Sequence, residues 1–177
     1  MRTGHNTLKT RLIGEYNFEN LMAGICVGRY FRVQPPAMTA AIENYIPENN
    51  RSQVINKNTN EIILDAYNAN PTSMKAALEN FGQLHRSNKV LILGDMLELG
   101  KYSHHEHRHI IETIKSKDFT HVYLIGDHFT DQADPSLKTF RKTSDFIDWL
   151  KNHTIQHSSV LIKGSRGLAL EKIVDYL

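Results

Sequence analysis

Three short apolar runs constrain this chain more than anything else in it: IILD at 62–65, VLILG at 90–94 and VYLIG at 122–126. Each is apolar at consecutive positions, so both faces of an extended segment would be buried, and each stops at an acidic or turn-forming residue. Between them, apolar residues recur at helical spacing, first Met74, Ala77, Leu78 and Phe81, then His107, Ile110, Ile111 and Ile114. Doubly buried strands alternating with one-faced helices predict an α/β fold with a mostly parallel sheet covered by helices on both faces. Strands are expected at 52–56, 61–65, 90–94, 122–126 and 160–163, with Lys57-Asn58-Thr59-Asn60 turning the first two into a hairpin. Leu170, Ile173, Val174 and Leu177 predict a last helix, 145–151 a weaker one, and 127–143 shows no clear period.

The first fifty residues have a different texture. Phe18, Leu21, Met22 and Ile25 mark one helix face within 17–31, and a second short helix is expected from Pro36 to about residue 45. This pair offers little apolar surface of its own. Pro47 and Asn49-Asn50 read as a linker, so the expected organisation is a helical piece at 1–50 and an α/β domain at 51–177.

Composition excludes several classes. A single cysteine, Cys26, rules out an internal disulfide. A formal net charge of +2 without a basic run gives no case for nucleic acid. No apolar run approaches the roughly 18–20 residues of a membrane span, and no apolar signal core opens the chain. The expected location is cytoplasmic.

In open α/β sheets ligands bind outside the carboxyl ends of the strands. Those ends carry Asp65, Gly94-Asp95, Gly126-Asp127 and Lys163-Gly164-Ser165-Arg166. The segment from Asp65 to Met74 leaves a strand and enters a helix. Asn70 as N-cap and Pro71 at the first helical position explain part of it, but leave Asp65, Tyr67 and Asn68 unexplained. Asp65 suits a ribose hydroxyl. In GDMLELG at 94–100, a hydrophobic loop with Met96, Leu97 and Leu99 packed and both carboxylates solvated is the simpler account. Lys163, Ser165 and Arg166, set between the last strand and the last helix, form a candidate anion site.

Two other motifs fail. His105-Glu106-His107-Arg108-His109 is a literal H-E-x-x-H string, but Ser103 and Glu106 also fit a capping box, and neither a third ligand nor the metzincin continuation follows. No metal site is expected. Gly4-His5-Asn6-Thr7-Leu8-Lys9-Thr10 lacks the second glycine that a phosphate loop requires before its lysine.

Taken together, IGEYNFEN at 13–20, NNRSQV at 49–54, DAYNANPTSM at 65–74, GDMLELG at 94–100 and KGSRGLALE at 163–171 resemble the C-terminal part of the Mur ligases. The pairing of DAYNANP with GDMLELG is similar to the branch that adds D-alanyl-D-alanine. The resemblance implies a Rossmann-like domain at 51–177, preceded at 1–50 by the helical tail of a central ATPase domain. It implies ATP with Mg2+, a UDP-N-acetylmuramoyl-tripeptide whose terminal carboxylate is phosphorylated, and a D-alanyl-D-alanine amine that displaces the phosphate in peptidoglycan precursor synthesis. By the same resemblance Asn17 and Asn20 would reach the adenine, Arg51 the phosphates or ribose, and Asp65 the ribose. Tyr67, Asn68, Asn70, Glu98, Lys163, Ser165 and Arg166 would hold the dipeptide and the growing peptide. Two departures stand out. Tyr16-Asn17 replaces the His-Asn of many relatives, and the family's phosphate loop, magnesium ligands and UDP-binding domain have no counterpart in these residues. The chain alone is therefore expected to lack ligase activity, with a stand-alone module that binds a nucleotide or dipeptide as the alternative.

Overall fold

The computed structural model describes residues 2–3, 6–12, 14 and 17–177. Gly4 and His5 of the rejected phosphate loop, and Tyr16 of the departure from the family pattern, lie outside the described residues. Two compact units are present, Met1–Glu48 and Asn49–Leu177.

In the first unit, strands β1 (Arg2–Thr3) and β2 (Asn6–Thr7) pair antiparallel, followed by helices α1 (Asn17–Tyr30) and α2 (Pro35–Asn44). A proline opens α2, where a missing N–H costs nothing because the first turn has no acceptor for it. Burial is sparse. Ile25 is the one buried apolar residue of α1, α2 has none, and Phe18, Val27, Tyr30 and Phe31 are exposed.

The second unit is built on a six-stranded sheet. Its elements are β3 (Gln53–Lys57), β4 (Asn60–Asp65), α3 (Pro71–Gln83), β5 (Lys89–Gly94), α4 (Ser103–Lys115), β6 (His121–Ile125), α5 (Asp127–Thr130), β7 (Lys138–Phe140), α6 (Thr143–Leu150) and β8 (Ser159–Lys163). Two short 3-10 segments, Arg166–Leu168 and Leu170–Tyr176, close the chain. The strand order is β3-β4-β8-β5-β6-β7, with β3 antiparallel to β4 and every other pairing parallel. The hairpin turns at Asn58, whose φ of 52° suits asparagine better than most residues. The five expected strands lie within one residue of those observed at either end.

Because side chains alternate along a strand, the register sorts the core into two layers. Ile62, Leu64, Val90, Ile92, Tyr123, Ile125, Val160 and Ile162 share one layer with Phe146 and Leu150 of α6 and with Leu170, Ile173 and Leu177. Ile63, Leu91, Leu93, Leu124 and Leu161 alternate with them and face the other way, toward the layer of α3 and α4, whose Met74, Leu78, Phe81, Ile110, Ile111 and Ile114 are buried.

Three expectations change. The stretch 127–143, without period in the sequence, holds α5 and β7, which are four and three residues long and too short to show one. The expected last helix is a 3-10 run, entered from Ala169 in the left-handed conformation at φ 51°. Leu170 and Ile173 are buried at a spacing that three residues per turn also satisfies. Ser103 does not cap α4. A 3-10 turn at Gly100–Tyr102 leads straight into the helix, so Ser103 is already helical, at φ −52°.

Candidate functional site

Strand β8 runs between β4 and β5, and this single insertion assembles the rim. Asp65 and Lys163, 98 residues apart in sequence, become register partners at the ends of neighbouring parallel strands, with side chains on the same face. The Lys163 ammonium donates to Asp65 Oδ2 at 2.5 Å and reaches toward the Asn68 carbonyl at 3.5 Å. The other carboxylate oxygen of Asp65 accepts from the Ser52 backbone N–H at 3.3 Å. Lys163 is only 2% exposed, whereas Asp65 is 16% exposed. Lys163, expected to face a ligand, thus holds a carboxylate that solvent can still reach.

Beside this pair stands Tyr67. The Arg51 guanidinium lies 3.8 Å from the centre of its ring and that of Arg166 5.4 Å away. A guanidinium over an aromatic face is attracted by the ring's negative quadrupole, and its five N–H donors are more than one hydroxyl can take up. A hydrogen bond from Arg51 and the charge of Arg51, with the charge of Arg166 added, hold the Tyr67 hydroxyl below its ordinary range. Two exposed arginines, brought from opposite ends of the unit to one half-buried tyrosine, give this side of the rim a positive lip.

The remaining expected residues are placed unevenly. Asn70 is the N-cap of α3: its side chain accepts from Ser73 N–H at 2.8 Å, and Ser73 Oγ accepts from the Asn70 backbone N–H at 3.2 Å. The simple helix-entry account is therefore sufficient for Asn70. Asn68 is exposed, with its side-chain oxygen accepting from Ala69 N–H at 2.9 Å. Ser165 is buried, and its hydroxyl accepts from Leu97 N–H at 2.9 Å, tying the β8 end to the loop after β5. That loop exposes Glu98 at a φ of 69°. The anion site expected at the start of a last helix has no α-helix behind it, since Arg166–Leu168 is one short 3-10 turn. Asn17 and Asn20 belong to the first unit, where Asn20 Nδ2 donates to Asn17 Oδ1 at 3.0 Å.

Asp95 is the clearest correction. A solvated carboxylate was expected, but it is 3% exposed. Its two oxygens accept from the backbone N–H groups of His128 and Phe129, each at 2.9 Å, so it caps α5 from a different strand. Gly126 makes room: its φ is 125°, and a Cβ there would fall 2.2 Å from the Asp95 carboxyl carbon. On the other side His107 accepts from Met96 N–H at Nε2 (3.0 Å) and, as a donor at Nδ1, bonds the Ser103 carbonyl at 2.7 Å. That pattern fixes a neutral ring, and burial, opposed by the Ser103 bond and the Asp95 charge, pushes its pKa down. The 3.5 Å approach of Asp95 to Nε2 is thus not an ion pair. In the sequence His107 stands on the apolar face of α4, and a histidine at a core position of a helix is the one signal there of this clamp.

The chain is similar to known proteins over most of its length. Residues 50–166 match the family model described as Mur ligase, glutamate ligase domain. The chain is 40% identical over 131 residues to the UDP-N-acetylmuramoyl-tripeptide--D-alanyl-D-alanine ligase of Rickettsia prowazekii, covering 71% of this chain and 29% of that protein. It is 33% identical over 187 residues to the enzyme of the same name from Bacillus subtilis, covering 97% of this chain and 40% of the relative. Among solved structures, UDP-N-acetylmuramoylalanyl-D-glutamyl-2,6-diaminopimelate--D-alanyl-D-alanyl ligase from Acinetobacter baumannii superimposes with a TM-score of 0.83 at 28% identity, over 95% of this chain and 37% of that one. The chain therefore spans well under half the length of these relatives. With two thirds of its residues inside the family model and the parallel sheet in place, this chain belongs to the Mur ligase family.

Proposed function

We propose that this chain supplies the C-terminal domain of an ATP-dependent ligase that joins D-alanyl-D-alanine to UDP-N-acetylmuramoyl-tripeptide. The observation that carries the reading is the grouping of Arg51, Tyr67 and Arg166 beside the Asp65–Lys163 pair, at the carboxyl edge of a sheet in a chain of this family. Amide formation from a carboxylate needs an activated acyl group, an anionic leaving phosphate and a positioned amine. Arginine forks suit the first two kinds of anion and the free carboxylate of a dipeptide alike. Asp65, half-buried and held in place by Lys163, has acceptor capacity left for a ribose hydroxyl. Glu98, exposed on the loop after β5, suits the dipeptide ammonium. Lys163 and Ser165 act behind this surface, the first by fixing Asp65 and the second by fixing the Glu98 loop. Asn17 and Asn20 are assigned to the adenine and Arg51 to the phosphates or ribose, while most contacts to the ATP phosphates and Mg2+ are assigned to parts of the ligase outside these residues.

The test is a hybrid enzyme. Residues 49–177 replace the matching region of the Bacillus subtilis relative, and ATP-dependent formation of the dipeptide adduct is followed. Activity is expected, falling about a hundredfold or more in Arg166→Ala, the loss typical of a group that steadies charge in the transition state. The chain alone is expected to form no product. A folded hybrid without activity, or one indifferent to Arg166→Ala, would overturn this assignment of the rim.

A further inference from the structure

The histidine-rich first turns of α4 take no part in the rim, yet they hold a pair with a defined geometry. His105 and His109, one turn apart on the solvent face, bring their Nε2 atoms to 3.0 Å, with ring centres 4.3 Å apart and planes nearly perpendicular at 83°. The Nδ1 of His109 lies 3.2 Å from Glu112 Oε2. In the neutral pair one Nε2–H donates to the other Nε2, so one proton bridges two imidazole nitrogens.

We propose that this pair is a surface site for a late first-row transition-metal dication, copper(II) above all. A metal takes the place of the bridging proton. The donating ring moves its proton from Nε2 to Nδ1 through water, both Nε2 lone pairs enter the metal's coordination shell, and no electron changes hands. The separation selects the geometry. With metal–nitrogen bonds of about 2.05 Å, two ligands at a right angle stand about 2.9 Å apart, and two at the tetrahedral angle about 3.3 Å. The observed 3.0 Å fits adjacent corners of a tetragonal site, the preference of Cu(II) and Ni(II), and copper leads the affinity order. With a proton on His109 Nδ1, Glu112 Oε2 at 3.2 Å is placed as the outer-shell carboxylate that orients the ring. Among the described residues no group of three His, Cys, Asp or Glu side chains could hold a metal, so the remaining positions of this two-ligand site belong to water. Between the two ligands, on the opposite face, sits His107, so a bound ion would staple the helical turns that support the Met96 amide.

The proposal is independent of the rim. It is tested on the untagged chain, stripped with chelator and titrated with Cu(II) in a non-coordinating buffer, by calorimetry and by electron paramagnetic resonance. One equivalent bound with a two-nitrogen equatorial signature is expected. Its affinity should fall about tenfold or more in His105→Ala and in His109→Ala, and stay unchanged in His104→Ala and His153→Ala. Circular dichroism of the metal-free variants should match the parent, because both side chains are exposed. The site is ruled out if the double variant binds copper as tightly as the parent, or keeps the two-nitrogen signature.

Discussion

Asp65 and Asp95 occupy equivalent places, at the carboxyl ends of strands that flank β8, and they have opposite surroundings. Asp95 is enclosed: both oxygens accept backbone N–H groups, a glycine is shaped around it, and a neutral histidine closes the far side. Asp65 lies on an open lip, with one lysine behind it, one amide beside it and two arginines nearby. Each carboxylate has one donor on each oxygen, but Asp95 is shut away from solvent and Asp65 keeps an exposed edge. Position in the topology marks where ligands gather, but enclosure decides which group can still receive one.

The sharpest way to break this comparison is to delete each anchor. Asp95→Ala removes two charge-assisted bonds and leaves two amides at the start of α5 without their acceptor, so a loss of about 3 kcal/mol or more is expected. Lys163→Met removes the partner of Asp65 but refills the buried space with a side chain of similar length. Asp65 can take up water at its exposed edge, so the loss should be about 1 kcal/mol. Urea denaturation of both variants measures the contrast. Equal losses would mean that Asp65 is as structural as Asp95.

How far the sequence foretold these two corners differs for a physical reason. The runs at 62–65, 90–94 and 122–126 betray doubly covered strands, because burial on both faces leaves no polar alternation. The carboxyl edge follows from them, and Asp65, Tyr67 and Arg166 with it. The order of strands does not follow: nothing local in SVLIK reveals that β8 inserts between β4 and β5, so the pairing of Asp65 with Lys163 is visible only in the fold. The fate of Asp95 depends on α5, a four-residue helix without periodicity, and on amides rather than side chains. Backbone partners leave no residue-type signature. Residue identity therefore showed where acids stand, and only the fold showed which was enclosed.

A second measurement bears on the enclosed corner alone. His107 is neutral when folded, with its pKa pushed below 6.5 chiefly by burial; Ser103, Asp95 and Glu106 pull it up and His128 pushes it further down. On unfolding the ring regains its ordinary affinity for a proton, so the unfolded chain binds more protons at acid pH. The stability that His107 contributes is fully present above about pH 6.5 and is lost as pH falls toward the folded-state value, with a slope of at most about 1.4 kcal/mol per pH unit. His107→Gln can keep both hydrogen bonds without titrating. Denaturation midpoints between pH 7.5 and 5 should therefore be flatter in the variant, and parallel curves would remove the neutral-histidine clamp from the comparison.

The smallest effect belongs to the open corner and is spectroscopic. Tyr67 is held below the ordinary tyrosine value of 10 by a hydrogen bond and charge from Arg51, then by the charge of Arg166. Tyr123 moves the other way, raised by burial, so the two phenols separate in a titration followed at the phenolate absorbance band. The earliest tyrosine to ionise should disappear in Tyr67→Phe and move upward in Arg51→Ala, with a smaller shift in Arg166→Ala. An anion bound between the arginines would neutralise the same charges and raise the same titration, so adding D-alanyl-D-alanine or a nucleotide turns Tyr67 into a reporter of occupancy. No counterpart is expected at Asp95, whose oxygens are both taken up by backbone N–H groups. A ligand that moves the Tyr67 titration while leaving the acid limb of stability untouched would mark the open corner as the receiving half of the rim.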